Sequence, residues 1–315
     1  MLIRSPGAGL ASAVVFFSAA LWGIYWIPLR FLEEQGISGT MAVAVLNMPA
    51  ILPLLLLVGL QLRAHRGYFG RMLLIGIFTG MAIALYSSGV IYSSVVRATL
   101  LFYLTPVWAT LIEIVWFKEK AGWPRWLAAV AGLVGMALLL SGEGSAAFNI
   151  GDVFGFFSGV CWAFGAAMIK RYDSVPLPGM LLSQFCFTVT GALLLGLIAG
   201  AGYSSAGYDL TGGVTAEQIL AVLPQTSVIA IGIILPAVLA IFWAQKFLLP
   251  GRVGLLMMSE VIVAVASASL LLPEEHMSLV AWCGAALIIS ACVLEVMSVP
   301  DSEPAGLQPV QEGGQ

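Results

Sequence analysis

Between Gly9 and Met297 the chain is almost continuously apolar, and short polar turns divide it into runs of bilayer-crossing length. A helix needs about 20 mainly apolar residues to span a hydrocarbon core of about 30 Å. Ten runs approach or meet that measure: Gly9–Leu32, Gly39–Leu60, Met72–Tyr92, Ala98–Phe117, Pro124–Leu140, Gly151–Lys170, Pro178–Gly200, Pro224–Ala244, Val253–Leu272 and Met277–Met297. Composition agrees: 60% of the residues are hydrophobic and 9% charged, against about a quarter charged in a soluble domain. So few polar groups cannot cover a water-facing surface. The expected fold class is an all-α integral membrane protein with ten transmembrane helices. Outside the runs remain a loop over Ala201–Leu223 and the tail VPDSEPAGLQPVQEGGQ, residues 299–315, whose acidic, Pro/Gly-rich composition predicts a disordered cytoplasmic segment. The first run is longer than the roughly 7–15 residues of a signal-peptide core, so it is expected to be a retained helix.

Basic residues orient the chain, because cytoplasmic loops are enriched in Lys and Arg. With the N-terminus in the cytoplasm, inside segments hold Arg4, Arg63, Arg66, Arg71, Lys118, Lys120, Arg125, Lys170, Arg171, Lys246 and Arg252, leaving Arg30 and Arg97 outside. Glu143, Asp152, Asp209, Glu217, Glu274 and Glu275 then fall outside as well. The expected location is a bacterial-type cytoplasmic membrane, crossed many times, with both termini in the cytoplasm.

The two halves echo each other. LLFYLTPVWATLIEIVWFKEK, from Leu100, and LLMMSEVIVAVASASLLLPEE, from Leu255, both end in a charged turn and lead into a helix with small residues. Those residues, Ala128 and Gly135 after Glu119 and Gly284 and Ala291 after Glu275, follow at the same steps. ALWGIYWIPLR and VCWAFGAAMIKR form a second pair around a mid-span tryptophan. The halves therefore read as repeats of five helices, 9–141 and 150–298. Five is odd, so the second repeat is inverted. This accounts for a basic FKEKAGWPR turn opposite an LPEEHMS turn stripped of Lys and Arg. Inverted repeats are a recurring basis of secondary transporters, with the site near the midplane between repeats.

Across about residues 10–297 the chain resembles the EamA-type transporters of the drug/metabolite transporter superfamily. The resemblance rests on ALWG, YLTPVWATLIEIVWFKEK, GDVFGFFSGVCWAFGAAMIKR and MSEVIVAVASASLLLPEE, in that order. It departs from the family where Gly-Glu is replaced by Lys118-Glu119 and by Pro273-Glu274-Glu275, and where Val261 rather than proline follows Glu260. The resemblance implies spans one to four and six to nine around a central cavity, with the fifth and tenth outside it. It also implies export or exchange of small metabolites, often amino acids.

Individual residues carry readings of their own. Gly76, Gly80, Ala84 and Ser88, and likewise Gly151, Gly155, Gly159, Ala163 and Ala167, recur at four-residue steps and so share a helix face on which backbones approach closely. That face serves close packing or sliding. Pro28, Pro106 and Pro236 sit inside apolar runs, free backbone carbonyls and predict kinks or hinges. Glu260 lies eight residues past Arg252, about 12 Å along a helix. An acidic residue at mid-span costs about 2.5–3.5 kcal/mol on insertion scales, and such residues usually face a cavity or a partner. Two readings stand: binding of a substrate ammonium or coupling proton, or a structural carboxylate between helices. Glu113, about 7.5 Å from Lys118, reaches the interface or pairs with that lysine. Trp22, Asn47, Tyr86, Tyr103, Trp162 and Gln184 lie deeper, and with Glu260 they make the candidate substrate-binding set. Aromatic walls with amides and phenols suit a flat or apolar group with polar ends; the bland reading is core or lipid-facing aromatics.

Other chemistries fall away. Cys161, Cys186, Cys283 and Cys292 lack CxxC spacing, and His65 and His276 are expected on opposite faces, so no metal site is indicated. No GxxxxGK[ST] loop is present for nucleotide hydrolysis, and scattered basic residues give no nucleic-acid footprint. The sequence thus points to a secondary transporter, most simply an exporter or exchanger of amino acids or related metabolites. It would work without catalytic residue, cofactor or metal and be driven by the substrate gradient, exchange or proton coupling. Its partners are a small-molecule substrate and the lipid bilayer. Nucleobases, nucleotide precursors or toxic amphiphiles are the runner-up substrates, and a membrane-embedded enzyme is the reading from another class. Oligomeric state is left open.

Overall fold

The computed structural model describes residues 7–93, 95–119, 122–139, 149–203, 214–271 and 278–298. Among these residues no strand occurs. The helices are α1 Ala8–Trp22, α2 Trp26–Glu34, α3 Gly39–Asn47, α4 Ile51–Leu60, α5 Leu62–His65, α6 Phe69–Tyr92, α7 Val95–Phe102, α8 Thr105–Ile112, α9 Trp123–Leu139, α10 Ile150–Arg171, α11 Leu177–Tyr203, α12 Ala216–Ile229, α13 Leu235–Gln245, α14 Pro250–Met257, α15 Ser259–Leu271 and α16 Leu279–Ser298. Among the described residues, six stretches are long and apolar enough to cross a membrane: Ala8–Glu34, Gly39–Leu60, Leu62–Tyr92, Ile150–Arg171, Leu177–Ile198 and Ala216–Gln245. Thr105–Phe117, Trp123–Leu138 and Trp282–Leu294 are shorter apolar helices. The expectations for the tail 299–315, for the turn holding Glu274, Glu275 and His276, and for Arg4, Lys120, Glu143 and Asp209 lie outside the described residues.

Helix starts are written in side chains. Asn149 Oδ1 accepts the amides of Gly151 and Asp152, and Asp152 accepts the Asn149 amide in return. Thr215 and Gln218 make the same reciprocal pair ahead of α12. Each box satisfies amides that a helix N-terminus leaves without a partner. The second box corrects the loop expected over Ala201–Leu223: Ala216–Leu223 is helical, and Pro224 lies inside α12.

Several apolar runs are broken helices. A turn at Gly23–Tyr25 separates α1 from α2, Tyr103 and Leu104 separate α7 from α8, and Met258 separates α14 from α15. Glu113–Phe117 and Ala230–Ile234 are π-helical turns. Pro28, Pro106 and Pro236 each fall in the first turn of the helix that restarts, α2, α8 and α13. For Pro28 and Pro106 the missing N–H has no intrahelical partner to lose, whereas Pro236 follows directly on the π-helical turn that continues from α12.

Small residues set the closest helix contacts. A Cβ on Gly80 of α6 would stand 2.6 Å from the Gln184 carbonyl oxygen of α11, and one on Gly159 of α10 would stand 2.5 Å from the Phe102 carbonyl oxygen of α7. Only glycine admits backbones that near. Thus α6 lies between α10 and α11, α10 also carries α7 and α8, α14 packs on α8, α1 touches α13, α14 and α15, and α9 pairs with α16.

Four basic turns meet at one end of the bundle. The Arg71 guanidinium lies over the Tyr172 ring at 5.3 Å and that of Arg171 over Trp116 at 5.5 Å. Lys170 Nζ donates to the carbonyls of Lys246 and Phe247, and Lys246 Nζ donates to Val175. These cations satisfy carbonyls left open where helices end.

Candidate functional site

The broken helices face one another across a small cavity. Phe102 ends α7, Met257 ends α14, and Glu260 stands in the first turn of α15, so both breaks sit at its wall. Trp22 enters from α1, Ile83 and Tyr86 from α6, Trp162 from α10, Gln184 from α11, and Val238 and Ile241 from α13. Among the described residues α9 and α16 contribute no lining. The cavity measures about 20 Å³, room for about one water. A metabolite site is nearer 300–1,000 Å³. Binding anything larger than water in this place therefore requires the surrounding helices to part.

Five of the seven residues expected in a substrate set line this cavity: Trp22, Tyr86, Trp162, Gln184 and Glu260. Tyr103 stands behind Glu260, with its hydroxyl 2.7 Å from Glu260 Oε2 and 2.9 Å from the Met257 carbonyl oxygen. Asn47 is set back from the cavity. Its Nδ2 donates to the Tyr25 hydroxyl at 3.0 Å and to the Val43 carbonyl at 2.8 Å. Tyr25 in turn stacks on Trp22, rings 4.8 Å apart and 5° from parallel. Asn47 thus holds the wall rather than forming it.

Polar capacity in the cavity is only partly used. Trp162 Nε1 and Gln184 Oε1 are buried with no hydrogen-bond partner among the described residues, and Gln184 Nε2 donates to Thr188. An unmet donor and an unmet acceptor therefore line the same space as a carboxyl group. Among the described residues, no lysine or arginine lines it.

Glu113 is elsewhere, and its expected partner is corrected. Both carboxylate oxygens are taken, one by the Arg125 guanidinium in the first turn of α9 and the other by the Gly251 amide in the first turn of α14. Lys118 instead adopts a left-handed backbone, φ 60°, beyond the π-helical turn, which directs the chain away. Sequence spacing favoured the nearer cation; the fold supplied a distant helix N-terminus, where negative charge is favoured.

A second, larger space adjoins the first. Leu21, Ile24, Ile27, Phe31, Ile229 and Ile233 border an apolar groove of about 350 Å³ between α1–α2 and α12–α13, and Trp22 belongs to both spaces. Sequence reasoning passed over Tyr25 and Phe102. Tyr25 was readable in part, since Trp22 and Tyr25 are three apart and so share a helix face. Ile83, Val238 and Ile241 gave no signal, because a cavity-lining aliphatic residue looks like a lipid-facing one.

Residues 9–141 match the EamA-like transporter family. A riboflavin transporter of Vibrio cholerae is 25% identical over 189 residues, 60% of this chain and 61% of that protein. The uncharacterized transporter YdfC of Bacillus subtilis is 25% identical over 84 residues, 25% of this chain and 28% of that one. The chain thus matches less than two thirds of the length of either relative. A solved crystal structure shares the fold, with a TM-score of 0.65 at 17% identity over 91% of this chain and 96% of that one. With its EamA-like segment and apolar helices, the chain is a multi-pass membrane protein.

Proposed function

We propose that the chain is a secondary transporter of the drug/metabolite type that works by alternating access, with the cavity between the two helix breaks as its substrate site. The observation that carries this reading is the enclosed cavity itself. It is lined from eight helical segments, holds a buried carboxyl group, and is too small for a substrate unless the helices move. A catalyst would need a second reacting group against Glu260; the group bonded to it is the Tyr103 phenol. The names of the family and of both relatives also favour transport over catalysis.

Ten spans in two inverted repeats give the helix contacts a common logic. If spans one to five exchange with six to ten, the α10 contact with α7 and α8 is the counterpart of the α1 contact with α14 and α15. The α6–α10 pair corresponds to α13–α1, while α9–α16, α8–α14 and α3–α11 map onto themselves. Basic turns gathered at one end support the cytoplasmic placement of that end and of both termini.

For the substrate, the lining favours a flat ring with donor and acceptor edges, neutral or cationic. Trp22, Trp162, Tyr86 and Phe102 offer faces, Trp162 Nε1 and Gln184 Oε1 offer edge contacts, and among the described residues no cation lines the cavity to receive a carboxylate. The Vibrio cholerae relative, named for a flat heterocycle, fits the same class. Amino acids are the second reading, favoured by the Glu260 carboxyl as a partner for an ammonium. Counterflow in sealed proteoliposomes separates these, using preloaded pools of flavins, nucleobases and aromatic amino acids. Exchange of the ring pools, lost in Trp162→Ala, is expected. Exchange of amino acids alone would transfer the assignment to the second reading, and no exchange from any pool by folded protein would remove the transporter reading.

A further inference from the structure

The contacts of Tyr103 contain a proton count that bears on how the transporter reading above would be coupled. A phenol has one O–H hydrogen, yet Tyr103 stands within bonding distance of two acceptor oxygens, Met257 O at 2.9 Å and Glu260 Oε2 at 2.7 Å. The Met257 carbonyl lacks its usual helical donor. It lies at the end of α14, and the amide that would return to it in a continuous helix, that of Val261, bonds the Met258 carbonyl instead. The whole cluster is buried: Tyr103 is 1% and Glu260 5% exposed.

We propose that Glu260 is a coupling-proton site and that Tyr103 relays its protonation state to the break between α14 and α15. With Glu260 as the carboxylic acid, its O–H donates to the Tyr103 oxygen and the Tyr103 O–H donates to Met257, so every group is satisfied. When the acid releases its proton to water entering the opened cavity, one H⁺ leaves and a carboxylate remains. The Tyr103 hydrogen then turns to Glu260 Oε2, and the Met257 carbonyl loses its donor. The break in the crossing helix is thus bound to α7–α8 in one protonation state and released in the other. The described conformation, with both distances short, is the protonated one.

The other titratable groups facing this cluster are Tyr86 on α6, bonded to Thr99; Tyr25 ahead of α2, bonded to Asn47; and Cys292 on α16, bonded to the Leu255 carbonyl. Neither α1 nor α8 carries a charged residue; the charges of α10, Asp152, Lys170 and Arg171, lie at its ends, and Arg125 binds Glu113. Glu260 is the one carboxyl group among the lining residues.

Two measurements on protein in nanodiscs and proteoliposomes test this. Infrared difference spectra between acid and alkaline buffer are expected to show the carbonyl stretch of a protonated carboxylic acid that disappears on alkalinisation. That band should be absent in Glu260→Gln and displaced in Tyr103→Phe, which keeps the ring but removes the relay. Counterflow of the exchanged pool should change about tenfold with pH in wild type, as one hydrogen bond of about 1.4 kcal/mol implies, and become flat with pH in both variants. A band that survives Glu260→Gln, or a Tyr103→Phe protein with unshifted band and wild-type pH profile, overturns the proposal. Absence of counterflow in wild type with the infrared result intact removes the transporter reading alone.

Discussion

The Tyr103 hydroxyl lies 2.7 Å from Glu260 Oε2, a bond between residues 157 positions apart that ties two broken helices together at their breaks. Each break has a local cause, proline at Pro106 in one helix and a lost amide return at Met257 in the other. Their meeting point is a cavity where a buried carboxyl group faces aromatic rings and unmet polar atoms. Three further predictions follow from particular contacts.

Glu113→Ala should lower stability by about 3 kcal/mol, because removing one member of a buried ion pair leaves the other uncompensated. It removes the acceptor of both the Arg125 guanidinium and the Gly251 amide. Arg125→Ala should cost less, since Arg125 keeps 11% of its side-chain exposure against 1% for Glu113. Thermal unfolding in detergent checks the order, and the double variant should lose less than the sum of the two. Equal melting temperatures for Glu113→Ala and wild type would contradict it.

Gly80→Ala should destabilise by about 1–3 kcal/mol, the usual cost of overpacking. Its added carbon meets backbone and Cβ atoms of α11 at 2.6 Å, which no side-chain rotation can clear. Gly59→Ala, where a Cβ meets nothing within 4 Å, is the matched control and should unfold like wild type. Denaturant titration of the two side by side checks the difference.

Much of this arrangement was legible beforehand and some was not, for physical reasons. Run length and the scarcity of charge dictated helices, and the insertion cost of a carboxylate singled out Glu260. Trp22, Trp162, Tyr86 and Gln184 were readable because large aromatic or amide groups in a membrane run stand out from aliphatic ones. Of the two readings of Glu113, the interface or Lys118, neither named its partners Arg125 and Gly251, because chain proximity to Lys118 is visible in sequence, while the approach of Gly251 from 138 positions away is set by tertiary packing. The start of α12 at Ala216 was missed although its Thr215–Gln218 capping box was present in the sequence. Asn47 was correctly placed deep in the bundle, yet its role as a support for Tyr25 depends on a contact between helices that spacing does not reveal.

Asn47→Ala should therefore weaken exchange without removing it. It deprives the Tyr25 hydroxyl of its donor, a loss of about 1–3 kcal/mol for a buried group, and loosens the Trp22 stack. Trp22→Ala, which removes the wall itself, should have the larger effect. Counterflow rates of the two variants at equal protein incorporation check the ranking; Asn47→Ala losing more than Trp22→Ala would place Asn47 in the site.

The central claim is that the cavity beside Glu260 opens to each side of the membrane in turn. Val238, buried at 3% exposure on the cavity wall, is the place to test it. In a chain with Cys161, Cys186, Cys283 and Cys292 replaced, Val238→Cys would be exposed to a membrane-impermeant maleimide in right-side-out and in inside-out vesicles. Labelling from both sides, slowed from each by the exchanged pool, is the expected result. Labelling from neither side, or from one side only under every condition, would contradict alternating access through this cavity.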